Sequence, residues 1–448
     1  MALSEHQHRL RGEVQREGRD PRQSVGSRRS QPPDDHLDAR AQGMALSGRR
    51  FEQSDRPLQT ARCRSQLVRA GCLLGAASMI GAIKQAWANF RGFDLTGSTV
   101  PPMDGPLRPN AKLDAAPVLL DLADVDNLVL WGQEVVCSVG REIHTLAPTA
   151  GDGTQGLSIS RSRAVGKPVT GMAVGTDLLA VAVEGEGIHI ESPDGASSEL
   201  IAPGALDARC VTAMAFADRS TLLVAVGSDR NPAHGWKRDL MTKTAAGSVW
   251  RIDIGSRTAV SIASGLAFPS GIIVSKDQVF VSEAWRHRVL SMGIDGSRRR
   301  IALGSLPAYP GRIAPASEGG FWLAMFAPRN PLVEFVLKED EYRRRMIETI
   351  DPDYWIAPSL ATGRSFLEPI QGGARKKLNM LKPWSPTWST GLVVRCDKDM
   401  AMVRNYQSRA DGDVHGVTSL CEAGGRLLVA AKGSGKIVAI HELAGHIA

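Results

Sequence analysis

Gly271-Ile-Ile-Val274, Val279-Phe-Val-Ser-Glu283, Arg288-Val-Leu-Ser-Met292 and Arg300-Ile-Ala-Leu303 follow one another inside residues 265–326. Each is a short apolar or alternating run, and each is separated from the next by Gly, Asp, Ser or Lys. That pattern is four strands joined by tight turns, with no room for a helix. Four strands in about forty residues is the length of one propeller blade. A new unit begins at once with Tyr309-Pro-Gly-Arg-Ile313 and Gly320-Phe-Trp-Leu-Ala324.

The same cadence runs through the chain on both sides. Asn127–Trp131, Glu134–Cys137 and Glu142–Leu146 form a first unit of three strands, residues 169–202 a second around Leu178–Val183, and residues 211–262 a third. The stretch from 265 is the fourth unit, and the fifth starts at Arg312. The sixth holds Gly416–Cys421, Arg426–Ala431 and Lys436–Ile440, one strand short of a blade. A lone strand, Ala116–Leu120, can complete it from the other end of the chain and so remove two exposed sheet edges. The predicted fold is therefore all-β: a six-bladed β-propeller over 116–448 with its N-terminal strand closing the last blade. Two insertions break the cadence, residues 231–246 in the third unit and 331–386 in the fifth. Within the second, 333–350 reads as a helix with Phe335, Tyr342, Met346 and Ile350 near one face, placed to cap a mouth of the ring.

The rest of the chain is different in kind. Residues 1–69 carry fourteen Arg, no Lys and nine Asp or Glu, so five of the seven net positive charges fall there. The basic balance belongs to the tail, which argues against a nucleic-acid-binding body. Residues 1–66 read as a disordered basic tail, 67–90 as a membrane anchor or signal helix, and 91–115 as a linker. The anchor reading rests on the uncharged run Ala70–Ile83, with Arg69 and Lys84 able to snorkel. The Arg residues ahead of it put the tail inside and the propeller outside the cytoplasm; a soluble protein is the alternative. None of the six cysteines forms a Cys-x-x-Cys pair, which leaves out zinc and thioredoxin-type chemistry. Gly433-Ser-Gly-Lys436 lacks the spacing of a phosphate loop and reads as a hairpin turn. Glu283, Arg286 and His287 read as a structural ion-pair cluster.

Phe268-Pro-Ser-Gly-Ile272, Val281-Ser-Glu-Ala-Trp-Arg-His-Arg-Val289, Leu306-Pro-Ala-Tyr-Pro-Gly-Arg-Ile313, Gly247-Ser-Val-Trp-Arg-Ile-Asp253 and His415-Gly-Val-Thr-Ser419 resemble, in order and spacing, the strictosidine-synthase-like family. The Trp236-Lys-Arg-Asp-Leu240 insert and Arg343-Arg-Arg345 resemble its bacterial members in particular. The resemblance implies a six-bladed propeller with a site at one mouth, and kinship with gluconolactonases and paraoxonases, which hydrolyse lactones and esters around a calcium.

The implied functional residues carry over only in part. Plant strictosidine synthase has a glutamate two residues after a His in the last blade; here Val417 follows His415 at that spacing, and an apolar side chain cannot accept a proton. Strictosidine synthesis is thereby disfavoured. The calcium-ligand positions of the hydrolases correspond here to Asp126-Asn127, Thr212-Ala213, Ser270 and Gly311, with Arg312 beside the last. Calcium takes six to eight oxygens with real negative charge among them, so no metal and no other cofactor is expected. Arg312 is expected to pair with Asp126 across the channel or to hold an anionic group of a ligand. The candidate catalytic residue is His415, with Asp126, Asn127, Ser270 and Arg312 as candidate substrate contacts. The expected activity is that of a small-molecule hydrolase of lactone or ester type at the axial mouth; the alternative is a non-catalytic, membrane-tethered binding or scaffolding propeller. The expected partners are a small-molecule ligand and, through 67–90, a membrane, with no nucleic acid.

Overall fold

A computed structural model describes residues 100–149, 156–192, 197–198, 206–363, 376–377, 380–381 and 388–441. The tail and the candidate anchor lie outside the described residues. Among those described, no helix is long and apolar enough to cross a membrane.

The chain forms six four-stranded antiparallel sheets. After β1 (Val118–Asp121), the first blade is β2 (Val125–Trp131), β3 (Glu134–Val139), β4 (Glu142–Pro148) and β5 (Leu157–Ala164). The second is β6 (Val169–Val174), β7 (Leu179–Val183), β8 (Gly187–Glu191) and β9 (Ser197–Ser198). The third is β10 (Val211–Phe216), β11 (Thr221–Val226), β12 (Gly247–Asp253) and β13 (Thr258–Leu266). The fourth is β14 (Pro269–Ser275), β15 (Gln278–Glu283), β16 (Arg288–Gly293) and β17 (Arg300–Leu303), within two residues of the runs that opened the reading. The fifth is β18 (Ala308–Pro315) and β19 (Phe321–Pro328), then, past the two-residue hairpin of β20 (Lys376–Lys377) and β21 (Met380–Leu381), β22 (Gly391–Cys396) and β23 (Met402–Ser408). The sixth is β24 (Val417–Ala423), β25 (Arg426–Ala431) and β26 (Lys436–Ile440), completed by β1. Leu120 pairs with Ile437 and Asp121 with Lys436, so the ring is latched by strands from both ends of the domain.

The first strands of the six blades, β2, β6, β10, β14, β18 and β24, touch in turn around the axis and return to β2. The second strands lie between apolar layers on both faces and are buried along their length, as Leu179–Val183 and Leu222–Val226 are. In the outermost strand β5 only Leu157 is buried, whereas Asn405–Ser408 of β23 are buried.

Residues 100–115, read as linker, pack on the ring. Leu107 and Leu113 are buried, the Asn110 side chain donates to Asn405 Oδ1 at 2.8 Å, and Ser408 donates to Asp114 at 2.6 Å. Four cysteines are described, all buried thiols. Burial pushes the Cys137, Cys210 and Cys396 thiols up to about 12, which leaves them as inert apolar fillers.

The insertions gather on one side of the ring. The short helix α1 (Trp236–Thr242) follows β11. Past β19 come α2 (Pro331–Val336), capped by Asn330 with Pro331 in its first turn, and α3 (Asp340–Thr349). The expected single helix is thus two, and its phase resets at Leu337–Glu339. Phe335, Tyr342 and Ile350 are consequently exposed, while Val333, Val336 and Met346 are buried against α1, Phe268, Tyr309 and Phe326. A buried carboxylate ties α1 down: Asp239 accepts from the Trp285 indole at 2.9 Å, Asn231 at 3.0 Å and Thr244 at 3.1 Å.

Candidate functional site

Every first strand breaks its ladder at the same level. The pairing register shifts at Asn127-Leu128, Thr170, Thr212, Ser270, Gly311-Arg312 and Thr418, with a further irregularity in the fifth blade at Tyr309-Pro310. A bulge frees a residue from pairing and re-aims its groups. Six bulges at one level therefore turn side chains and carbonyls into the axial channel. Several of these groups stitch neighbouring blades: Thr212 donates to the Pro269 carbonyl at 2.6 Å, and Ser270 to the Pro310 carbonyl at 2.7 Å. Gly271 permits the approach of blades four and five, since a Cβ there would meet the Gly311 carbonyl oxygen.

Arg312 spans this ring of bulges. Its guanidinium donates to Asp126 Oδ1 at 2.6 Å, to the Thr418 carbonyl at 3.2 Å and to the Thr170 carbonyl at 3.0 Å, which joins the fifth blade to the first, sixth and second. Lys432, in the turn between β25 and β26, donates to the other Asp126 oxygen at 3.1 Å. Burial pushes the Asp126 carboxyl up, but the Arg312 and Lys432 charges outweigh it and hold the group well below the usual carboxylate range. Two cations thus share one carboxylate.

This arrangement does not fit a calcium ion. Both oxygens of Asp126 are taken, a guanidinium stands among the inward carbonyls, and no cluster of three metal-ligating side chains exists among the described residues.

Above the ring lies a cavity of about 370 Å³. Asp126, Thr170, Ser270, Arg312 and Lys432 line it at one end, and Trp236, Phe268, Phe326 and Leu360 supply apolar wall. Trp236 meets Phe326 edge-on at 5.9 Å. Phe268 holds a left-handed backbone, φ 57°, a conformation that costs a bulky residue energy and is retained where the surroundings force it. On the cavity wall, His234 places Nδ1 2.9 Å from Glu184 Oε1. The Glu184 side chain is 15% exposed and that of His234 78%, so a solvent-facing imidazole is steered by a largely buried carboxylate.

Of the sequence-predicted residues, Asp126, Ser270 and Arg312 come together in this cavity. Asn127, though it lies in the first blade's bulge, does not line this cavity: it is buried, donates to Ser138 at 2.8 Å, and lines a second cavity that Arg312 also borders. His415 does not join them. Its Nε2 donates to the Arg409 carbonyl at 2.8 Å, its Nδ1 lies 3.2 Å from Thr362 Oγ1, and it lines a separate pocket with Gly412, Asp413 and Ser434. Both ring nitrogens are engaged by the protein, and His415 is not among the residues that line the mouth cavity. Glu283, fully buried, takes Arg286 and Arg288 at 2.6 Å each, a structural clasp. Lys432, Glu184, His234 and Trp236 were missed as site residues. They come from turns and an insertion, and the only signal for them was the insert itself.

No family model matches the chain. The protein named strictosidine synthase-like 13 of Arabidopsis thaliana is 31% identical over 99 residues, 21% of this chain and 25% of that protein. The adipocyte plasma membrane-associated protein of Danio rerio is 32% identical over 98 residues, 20% of this chain and 24% of that one. The matched region is about a quarter of the length of either relative. Among solved structures, a luciferin-regenerating enzyme is 12% identical, with a TM-score of 0.44 over 74% of this chain and 94% of that one. The chain is a six-bladed propeller related in sequence to the strictosidine-synthase-like proteins.

Proposed function

We propose that the propeller hydrolyses a small lactone or ester at the axial mouth, without a metal. The observation that carries this reading is the His234–Glu184 pair on the wall of the aromatic-lined cavity. A carboxylate that accepts the Nδ1 proton fixes the tautomer and leaves Nε2 as the base. Nε2 takes a proton from water as the water oxygen bonds to the substrate carbonyl carbon. The tetrahedral adduct then breaks its bond to the alkoxy oxygen, which receives the proton back from Nε2. A lactone gives a hydroxy acid, an ester an acid and an alcohol. General-base assistance of this kind contributes about 10²–10⁴-fold.

The test is a panel of lactones and aryl esters with excess chelator present. Turnover by the wild type, a loss of about a hundredfold or more in kcat for His234→Ala, and loss of the matching limb of the pH–rate profile support the reading. Melting should be unchanged, because His234 is exposed. Equal rates for wild type and His234→Ala would refute it. Ligand binding with no turnover of any ester would favour the non-catalytic binding propeller.

A membrane tether is the second part of the proposal. It rests on the uncharged run inside 67–90 and on the name of the Danio rerio relative, which places that protein at the plasma membrane.

A further inference from the structure

We infer that the ligand of the mouth cavity carries a carboxylate on an apolar body of about ring size, with the carboxylate seated on Lys432. The inference rests on the mouth being a ligand site, as proposed above, but not on hydrolysis.

Asp126 gives one oxygen to Arg312 and the other to Lys432, and each cation is more than a neutral contact needs. Arg312 is committed to the brace: its two terminal nitrogens donate to Asp126 and to two backbone carbonyls, and the Nε–H left over is buried. Lys432 is not. An ammonium has three N–H groups, one is used, and the side chain is a third exposed to the cavity. The floor therefore holds one surplus positive charge, held by a carboxylate that stays ionised. A single carboxylate matches that surplus. A hydroxyl donor stands nearby for its second oxygen, since Thr170 Oγ1 lines the same cavity, is buried and has no hydrogen-bond partner among the described residues. Leaving such a group unpaired costs free energy that a ligand oxygen would recover.

The remaining charged groups set the direction. Glu184 is the other acid lining the cavity, and it sits at His234. It repels a ligand anion from the wall and favours the floor. The body then lies against Trp236, Phe268 and Phe326. A ligand held in this way presents its far end to His234, so the same asymmetry would orient an ester or lactone for attack. The cavity, about 370 Å³, is within the range of small-ligand sites.

The test is calorimetric titration of the full chain with 3-phenylpropionate, its neutral amide and inorganic phosphate. The acid should bind at least tenfold more tightly than the amide, and phosphate more weakly than the acid. Raising salt should weaken the acid and leave the amide unchanged. Lys432→Gln should cost the acid at least tenfold with no change for the amide, and Lys432→Arg should restore it. Because Asp126 keeps Arg312 in both variants, the ring stays braced. Equal binding of acid and amide, no binding of the acid, or an unchanged affinity in Lys432→Gln would overturn the inference. Phosphate bound as tightly as the acid would overturn the aromatic body. His234→Ala should keep the preference for the acid over the amide at tenfold or more, which separates this claim from hydrolysis. Acid binding without ester turnover sinks only the hydrolase; turnover of neutral esters without acid binding sinks only this proposal.

Discussion

Arg312→Met is the sharpest perturbation of the axis. The substitution keeps much of the side-chain volume and removes the guanidinium. The wild-type side chains are mostly buried, 19% exposed for Arg312 and 15% for Asp126. Removing one partner of a buried pair costs about 3–5 kcal/mol. Lys432 remains on Asp126 and the pair is not fully dry, so the expected loss at neutral pH is about 2–3 kcal/mol. For a body of this size, at about 2.1 cal/mol/K of unfolding entropy per residue, that is a fall in Tm of about 3–4 °C. Thermal melts followed by circular dichroism measure it.

Acid supplies an internal check. Asp126 has its folded pKa depressed below the ordinary 3.8, so its stabilisation is complete above that value and is lost as pH falls toward the folded one. In Arg312→Met the depression is smaller. The gap between wild type and variant should therefore be full at neutral pH and narrow below about pH 4, leaving only the lost bonds to the Thr170 and Thr418 carbonyls. Asp126→Asn combined with Arg312→Met removes both charges and should recover part of the loss, with a coupling of about 1 kcal/mol or more. A variant that melts within a degree of wild type at pH 7 would refute the brace. So would a wild type whose Tm falls with chelator and returns with calcium, since a ligand specific for the folded state must stabilise it.

Two further outcomes follow from other parts of the structure. His415→Ala removes two buried hydrogen bonds and should lower stability by about 1–3 kcal/mol while leaving ester turnover and 3-phenylpropionate affinity intact; loss of turnover at unchanged Tm would return His415 to the site. Full-length chain should sediment with membranes and resist a high-salt wash, and deletion of residues 1–92 should release the propeller; uncleaved full-length protein found wholly in the soluble fraction contradicts the tether.

The ring was readable because its information is local and repeated. Alternating apolar runs, each a few residues long and closed by Gly, Asp or Ser, specify strand and turn without reference to anything distant. Six repetitions then fix the blades, and the missing strand of the last unit identifies the latch with β1. The reading failed where that local signal is absent. Leu-Ser-Ile-Ser-Arg-Ser-Arg-Ala, residues 157–164, carries almost no buried face, and as the outer strand of its blade it needs none. The helical insert failed for the opposite reason: apolar residues were abundant, but the break at Leu337–Glu339 sent Phe335, Tyr342 and Ile350 to solvent.

The site divides along the same line. Asp126, Ser270 and Gly311 sit at equivalent places of a repeat, with Arg312 next to the last, so counting residues within the repeat was enough to bring Asp126, Ser270 and Arg312 together in the channel. Lys432 lies in a turn, Glu184 just past the end of β7 and His234 on an insertion fifty residues later. Their meeting depends on how the loops fold over the mouth, which no repeat fixes. His415 shows the limit most clearly. It stands three residues before the bulge at Thr418, yet the chain between them turns at Gly416, φ 64°, and the imidazole ends on Arg409 and Thr362. The family's placement of a histidine there fixed the position in the chain but not the direction of the side chain. Direction was set by a glycine and by what the neighbouring insert offered as a hydrogen-bond partner. In this chain an imidazole did reach the mouth, but from the third blade's insertion, with Glu184 of the second blade to orient it.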